Sequence, residues 1–208
     1  MIFENDFLDA AAFIVLLIPS IIAHEVAHGT VALRLGDPTA RDAGRLTLNP
    51  IPHIDPFGSV ILPGLLALAG STIFGWAKPV PVVPRYFRNP TEGMAITALA
   101  GPATNLVLAV ITGRVVLEVL DLHGTALRAV FFFGLLNAVL AVFNLLPIPP
   151  LDGSRLLPLV LTPNGRRMYA QVEQYGFLIL FALVFVWRDG LGRMMREPIN
   201  LALRVAGL

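Results

Sequence analysis

Ile14-Val15-Leu16-Leu17-Ile18-Pro19-Ser20-Ile21-Ile22-Ala23-His24-Glu25-Val26-Ala27-His28 is the stretch that decides the fold. No residue from Ala11 to Ala23 carries a charge, so the run reads as a membrane helix with three ionisable side chains at its end. Residues four apart on a helix share a face, which turns His24 and His28 the same way with Glu25 between them. Two imidazoles at that spacing can grip one metal ion while the glutamate handles the proton of a nearby water. Ionisable groups in hydrocarbon are costly, and a cluster of them marks a functional site. The spacing and setting point to a zinc hydrolase site sunk into a membrane. The string also arises by chance on surface helices, but those lie among charges, not within an apolar run. A buried polar cluster that only ties helices together is the remaining alternative.

The rest of the composition agrees with a membrane setting. Of 208 residues, 56% are hydrophobic and 14% charged, where a soluble domain carries about 25% charged residues. The mean hydropathy is +0.75. These values predict an all-α polytopic membrane protein. A net charge of +1 leaves no electrostatic footprint for nucleic acid. With no cysteine, any metal must be held by His, Asp or Glu, and no disulfide can form. The segment Met1-Ile2-Phe3-Glu4-Asn5-Asp6 has no positive region before its apolar run and does not read as a removed signal peptide.

Five apolar segments are expected, at Phe7 to Leu35, Phe57 to Phe74, Met94 to Leu120, Ala129 to Leu146 and Gln171 to Trp187, within a single domain over 1–208. Residues 190–208 mix Arg193, Arg196 and Arg204 with leucines and methionines, which predicts an amphipathic helix lying at the interface. Residues 39–56 and 75–84 are rich in proline and β-branched residues and are expected to be extended. Non-helical backbone near membrane depth must be buried in protein or line a cavity, so both are candidate walls of the site.

Catalytic zinc usually takes three protein ligands, and two histidines leave one to find. The best candidate is Asp152 in Asn144-Leu145-Leu146-Pro147-Ile148-Pro149-Pro150-Leu151-Asp152-Gly153, where three prolines end the preceding apolar helix and fix where the carboxylate emerges. Taken alone, Asp-Gly is equally a turn signal.

The ordered combination of His24-Glu25-Val26-Ala27-His28, Gly101-Pro102-Ala103-Thr104-Asn105 and the run from Asn144 to Gly153 resembles the site-2 protease family of intramembrane zinc metalloproteases. The likeness spans roughly residues 14 to 160. It implies a multi-helix membrane core, one zinc ion held by His24, His28 and Asp152, and Glu25 as general base. It also implies substrates that are membrane proteins with a locally unwound transmembrane segment in the bilayer. Many members carry a PDZ or CBS domain, and no stretch of this chain reads as either.

Several further residues are candidates. Asn105 and Asn144 are amides on apolar helices, able either to donate to a reaction intermediate or to bond helix to helix. His53, in a stiff proline-framed turn, could bond the substrate, orient a loop or simply be solvated. Arg114 and Glu118, four apart, are expected to pair. In Lys78-Pro79-Val80-Pro81-Val82 the prolines strip one edge of donors while Val80 and Val82 keep theirs, giving either an edge for a substrate strand or a plain structural hairpin. The acidic start against Arg34, Arg41 and Arg45 places the site toward the cytoplasm of a bacterial or archaeal cell membrane. Asp152 must reach the same depth, so Phe57 to Phe74, broken by Pro63, Gly64 and Gly70, is expected to re-enter rather than cross. A transporter or an inactive scaffold is the alternative function; neither explains metal-ligand spacing with the glutamate intact.

Overall fold

The computed structural model describes residues 6–68 and 77–208, and no strand occurs among them. Helix α1 (Asp6–Arg34) carries the opening apolar run. A single turn, α2 (Thr39–Asp42), follows, and α3 (Leu62–Leu68) continues from a wide turn over Pro56–Ile61. Helix α4 (Pro90–Val110) runs through a wide turn at Ile111–Val116 into α5 (Leu117–Val119). Then come α6 (Gly124–Asn144), the short α7 (Leu157–Val160), α8 (Pro163–Glu173), α9 (Gly176–Phe181) and α10 (Arg188–Ala206).

Local chemistry sets the ends of these helices. The Asn89 side chain accepts from the Thr91 and Glu92 N–H groups, and Pro90 occupies the first turn, where a missing N–H costs nothing. Pro147 cannot prolong α6, and Gly207 closes α10 at φ 77°.

Among the described residues, three helices are long and apolar enough to cross a membrane: Ala12–Arg34, Pro90–Val119 and Gly124–Asn144, with mean hydropathies of 1.6, 1.8 and 2.1. They define a multi-pass membrane protein. The run from Gln171 to Trp187 is not one rod, because α8 and the helical stretch Gly176–Val186 meet at a 69° bend.

Cross-contacts give the order of the bundle. Ser20 and His24 of α1 meet Asn105 of α4, and His28 meets Thr97, so the two helices run antiparallel. Asn105 meets Asn137 while a Cβ on Gly134 would lie 3.0 Å from Thr112, so α4 and α6 are antiparallel as well. The end of α1, the start of α4 and the end of α6 therefore share one end of the bundle. The chain between α1 and α4 makes no net crossing, as the parity argument for residues 57–74 requires. Pro56 to Leu68 is helical, and the rest of the expected re-entrant hairpin, 69–76, lies outside the described residues.

At the far end, α4, α6 and α10 meet along a seam of Ala109, Ala138, Ala202 and Ala206. A Cβ on Gly113 would sit 2.1 Å from the Ala206 carbonyl oxygen, so the backbones touch there. In lipid, where apolar burial between helices yields little, such small-residue contact lets van der Waals packing hold helices together.

Three expectations change. Residues 39–56 are not extended throughout: Asp37 accepts from both the N–H and hydroxyl of Thr39 and starts α2, and Ile51–His53 forms a second turn. Helix α10 is amphipathic, but Leu191, Met195, Ala202 and Ala206 are buried against the protein instead of resting at the interface. Arg114 does not pair with Glu118; its guanidinium reaches the Arg204 and Val205 carbonyls at 3.4 Å, where the C-terminal end of α10 attracts a cation.

Candidate metal centre

His24 and His28 lie one turn apart on α1, with ring nitrogens Nε2 3.0 Å from each other. Asp152 opens a 3-10 turn beyond the proline run that follows α6, and its Oδ2 lies 3.1 Å from His24 Nε2 and 3.3 Å from His28 Nε2. Gly153 allows this approach, since a Cβ there would fall 2.1 Å from the Leu145 carbonyl oxygen. The structure thus brings together three ligand atoms from residues up to 128 apart in the chain, all within 4.8 Å of one another.

Both imidazoles have their other nitrogen committed. His28 Nδ1–H donates to the Thr97 carbonyl at 2.7 Å, and His24 Nδ1–H donates to Asn105 Oδ1 at 2.5 Å. With the protons on Nδ1, each Nε2 presents a lone pair. Asp152 Oδ2 is buried and receives no hydrogen bond. Three electron-pair donors facing one point repel unless a cation lies between them. Nitrogen ligands about 2.0–2.1 Å from a tetrahedral zinc lie roughly 3.3 Å apart, close to the observed spacing. The side of α4 facing the point is bare: a Cβ on Gly101 would be 2.4 Å from His28 Nε2 and 2.5 Å from His24 Nε2. The donor set and the space beside it fit a zinc ion.

Glu25 lines the same cleft, and its Oε2 accepts from the Val80 N–H at 2.8 Å. This changes the expected role of residues 78–82. The Val80 N–H does face the site, but Val80 is 8% exposed and this N–H serves Glu25, so it is not open to a substrate strand. Val82 lines the cleft. The segment is pegged from behind: Lys78 N–H donates to the His53 carbonyl at 2.9 Å, the Arg45 guanidinium donates to the Lys78 carbonyl, and the Val83 N–H donates to Asp37 Oδ2 at 2.6 Å. Burial pushes the Asp37 carboxyl up, but hydrogen bonds from Thr39 and Val83 outweigh it and hold the group below its ordinary value.

The remaining candidates divide. His53 is 2% exposed, outside the cleft lining, with Nε2 bonded to the Thr47 carbonyl at 2.9 Å; it orients a loop and is not solvated. Asn105 is also outside the lining, with both polar atoms bonded within the bundle, so it serves His24 and offers nothing to a reaction intermediate. Asn144 does line the cleft, using one amide hydrogen on the Leu140 carbonyl at 3.0 Å. Its second hydrogen is available chemically. Sequence reasoning passed over Asn137, Asp37 and Arg155, used Arg45 only for topology and took Gly101 only as part of a motif. Arg155 lines the cleft and pairs with Glu173 of α8. A polar residue inside an apolar helix was the available signal for Asn137, as it was for Asn105.

A His-His-Asp group able to hold a metal ion, beside a glutamate in a cleft among membrane-length helices, is the arrangement of a membrane metallohydrolase. The pattern of peptidase family M50 matches residues 120–187. The YwhC protein of Bacillus subtilis (strain 168) is 43% identical over 182 residues, covering 83% of this chain and 79% of its own. Rip2 of Mycolicibacterium smegmatis is 36% identical over 79% of this chain and 63% of its own. The names of both assign them provisionally to the zinc metalloproteases. No solved structure matches the chain. The chain belongs to peptidase family M50, the metalloproteases expected from the resemblance to site-2 proteases.

Proposed function

We propose that this chain is an intramembrane zinc protease that hydrolyses peptide bonds in or near the transmembrane segments of membrane proteins. One observation carries the reading: three electron-pair donors, His24 Nε2, His28 Nε2 and Asp152 Oδ2, converge within 3.3 Å of one another beside a carboxylate at the end of a membrane helix. Zinc bound there supplies a Lewis acid that polarises a peptide carbonyl and acidifies water.

The protein's own groups do the rest. Glu25 takes the proton of the attacking water and returns it to the leaving amine. The Val80 N–H holds one of its oxygens, leaving the other for that exchange. Asn144 offers its second amide hydrogen to the oxygen of the attacked carbonyl. A cleft of about 320 Å³ between α4 and residues 79–82 is at the lower end of ligand pockets and suits a short unwound stretch better than an intact helix. Such a stretch gives up its own backbone bonds and must find partners, and Val82 of the cleft lining offers its main chain for this. Arg34, Arg41, Arg45, Lys78, Arg85 and Arg88 gather at the end of the bundle that holds the site, which by the positive-inside rule is the cytoplasmic end.

The test is zinc analysis of purified protein beside cleavage of a panel of single-span substrates. Glu25→Gln should abolish cleavage and keep zinc, whereas Ala at His24, His28 or Asp152 should lose both. Cleavage that survives zinc removal overturns the proposal, and equal zinc in wild type and Asp152→Ala removes that residue from the site.

A further inference from the structure

His24 is the last member of a hydrogen-bonded chain that crosses the bundle to α6. Its Nδ1–H donates to Asn105 Oδ1 at 2.5 Å. Asn105 Nδ2 donates to Asn137 Oδ1 at 2.8 Å and to the Ser20 carbonyl at 3.3 Å. Asn137 Nδ2 donates in turn to the Phe133 carbonyl and to Ser20 Oγ, both at 2.9 Å, and the Ser20 hydroxyl donates to the Leu16 carbonyl at 2.9 Å. Ser20, Asn105 and Asn137 are each 0% exposed.

The chain has a direction, and main-chain carbonyls impose it because they can only accept. The Phe133 carbonyl requires the NH2 of Asn137 to face it, which turns Oδ1 toward Asn105. Asn105 must meet Oδ1 with its own NH2, and the Ser20 carbonyl asks the same. Only Oδ1 of Asn105 is then left for His24. An acceptor at that place puts the imidazole proton on Nδ1 and the lone pair on Nε2, facing His28 and Asp152.

We infer that Asn137, which touches neither the cleft nor any ligand, is a positioning residue that sets which nitrogen of His24 carries the proton. The inference rests on the zinc reading proposed above. A plain contact between helices accounts for one hydrogen bond, but not for a polarity that ends at the metal-facing nitrogen. With leucine at 137, Asn105 loses its 2.8 Å partner and retains only the 3.3 Å bond to Ser20 to keep it from turning over. Turned over, it presents NH2 to His24 Nδ1, the proton moves to Nε2, and zinc must displace it.

The experiment uses metal-free full-length protein, with nitrogen-15 spectra of labelled histidine reporting the His24 tautomer and chelator competition reporting zinc affinity. Wild type should show the proton on Nδ1. Asn137→Leu should populate the Nε2–H form and weaken zinc roughly 10- to 100-fold, the range for a lost outer partner of a ligating histidine. Asn137→Ala, which adds no bulk, is read the same way should the leucine variant not fold. Aspartate at 105 has no N–H to offer whichever way it turns, so in an Asn105→Asp background the Asn137 substitution should change neither tautomer nor affinity. Equal losses in both backgrounds, or a wild-type tautomer in Asn137→Leu, overturn the inference. Failure of wild type to take up zinc defeats the metal reading, while the tautomer comparison still decides the role of Asn137.

Discussion

Gly101→Ala tests the geometry of the centre with a single methyl group. The added Cβ would lie 2.4 Å from His28 Nε2 and 2.5 Å from His24 Nε2, roughly 1 Å inside ordinary van der Waals contact. Neither ring can retreat easily: His28 is held by the Thr97 carbonyl of the same helix that carries Gly101, and His24 by Asn105 one turn further along. Either α1 and α4 part, or the rings rotate away from Asp152. Ligand distances in a metal site tolerate about 0.2 Å, so a displacement of this size should weaken zinc by about 100-fold or more. Overpacking itself costs about 1–3 kcal/mol, which lowers thermal stability without unfolding the protein. Chelator competition measures the first effect and thermal denaturation of the metal-free protein the second. A Gly101→Ala protein with wild-type zinc affinity would refute the claim that the bare face of α4 is part of the metal site.

Asp37→Asn should loosen residues 78–83 by weakening the bonds to Val83 and Thr39, at a cost on the order of 1–3 kcal/mol, and should raise KM more than it lowers kcat. Because the folded protein holds this carboxyl more acidic than the unfolded chain, its contribution is complete above an unfolded value of about 3.9 and is lost as pH falls through the lower folded value. Denaturation followed from pH 7 down to about 3 should therefore show the gap between wild type and Asp37→Asn closing only at the acid end of that range. Val82→Pro should impair cleavage with zinc and fold intact, and Val82→Ala should be mild because the N–H survives; equal harmlessness in the cleavage assay would take this segment out of substrate binding. A cysteine introduced at position 85 should resist labelling by impermeant reagents applied outside intact cells, and ready labelling would defeat the cytoplasmic placement.

The three long spans were legible in sequence because an uncharged apolar run has few other solutions in lipid, and His24, Glu25 and His28 because helical spacing is rigid. Asp152 could be named as a candidate, but only the structure shows it meeting the histidines, since the turn from Leu145 to Asp152 has no periodicity to read. The fate of individual N–H groups was not legible. Alternation predicts which N–H groups the prolines remove, yet which acceptor the Val80 N–H meets depends on where α1 lies. The choice among the readings of His53 was not legible for a related reason: proline framing says that a turn is stiff, not that the Thr47 carbonyl and the Lys78 N–H will hold its residue in place. The bend between α8 and α9 escaped because hydropathy is blind to direction. The contact that reveals it is Gly176 against Pro149 and Pro150, between segments more than twenty residues apart.

The seam where α4, α6 and α10 touch inverts the usual hierarchy of vulnerable positions. In a core packed with large apolar side chains, truncation does the damage by leaving a void. At Gly113, Gly134 and the four alanines there is almost nothing to truncate, and a Cβ would meet the Ala206 backbone at Gly113 and the Leu208 and Thr112 side chains at Gly134. The sensitive substitutions are enlargements, and their harm is shared: one methyl group at Gly113 pushes on Ala206, which carries the end of α10 away from Arg114 and from Ala138 together. Tolerance along this part of the chain should thus rise with the size of the native residue, so that its least conspicuous letters are the least replaceable.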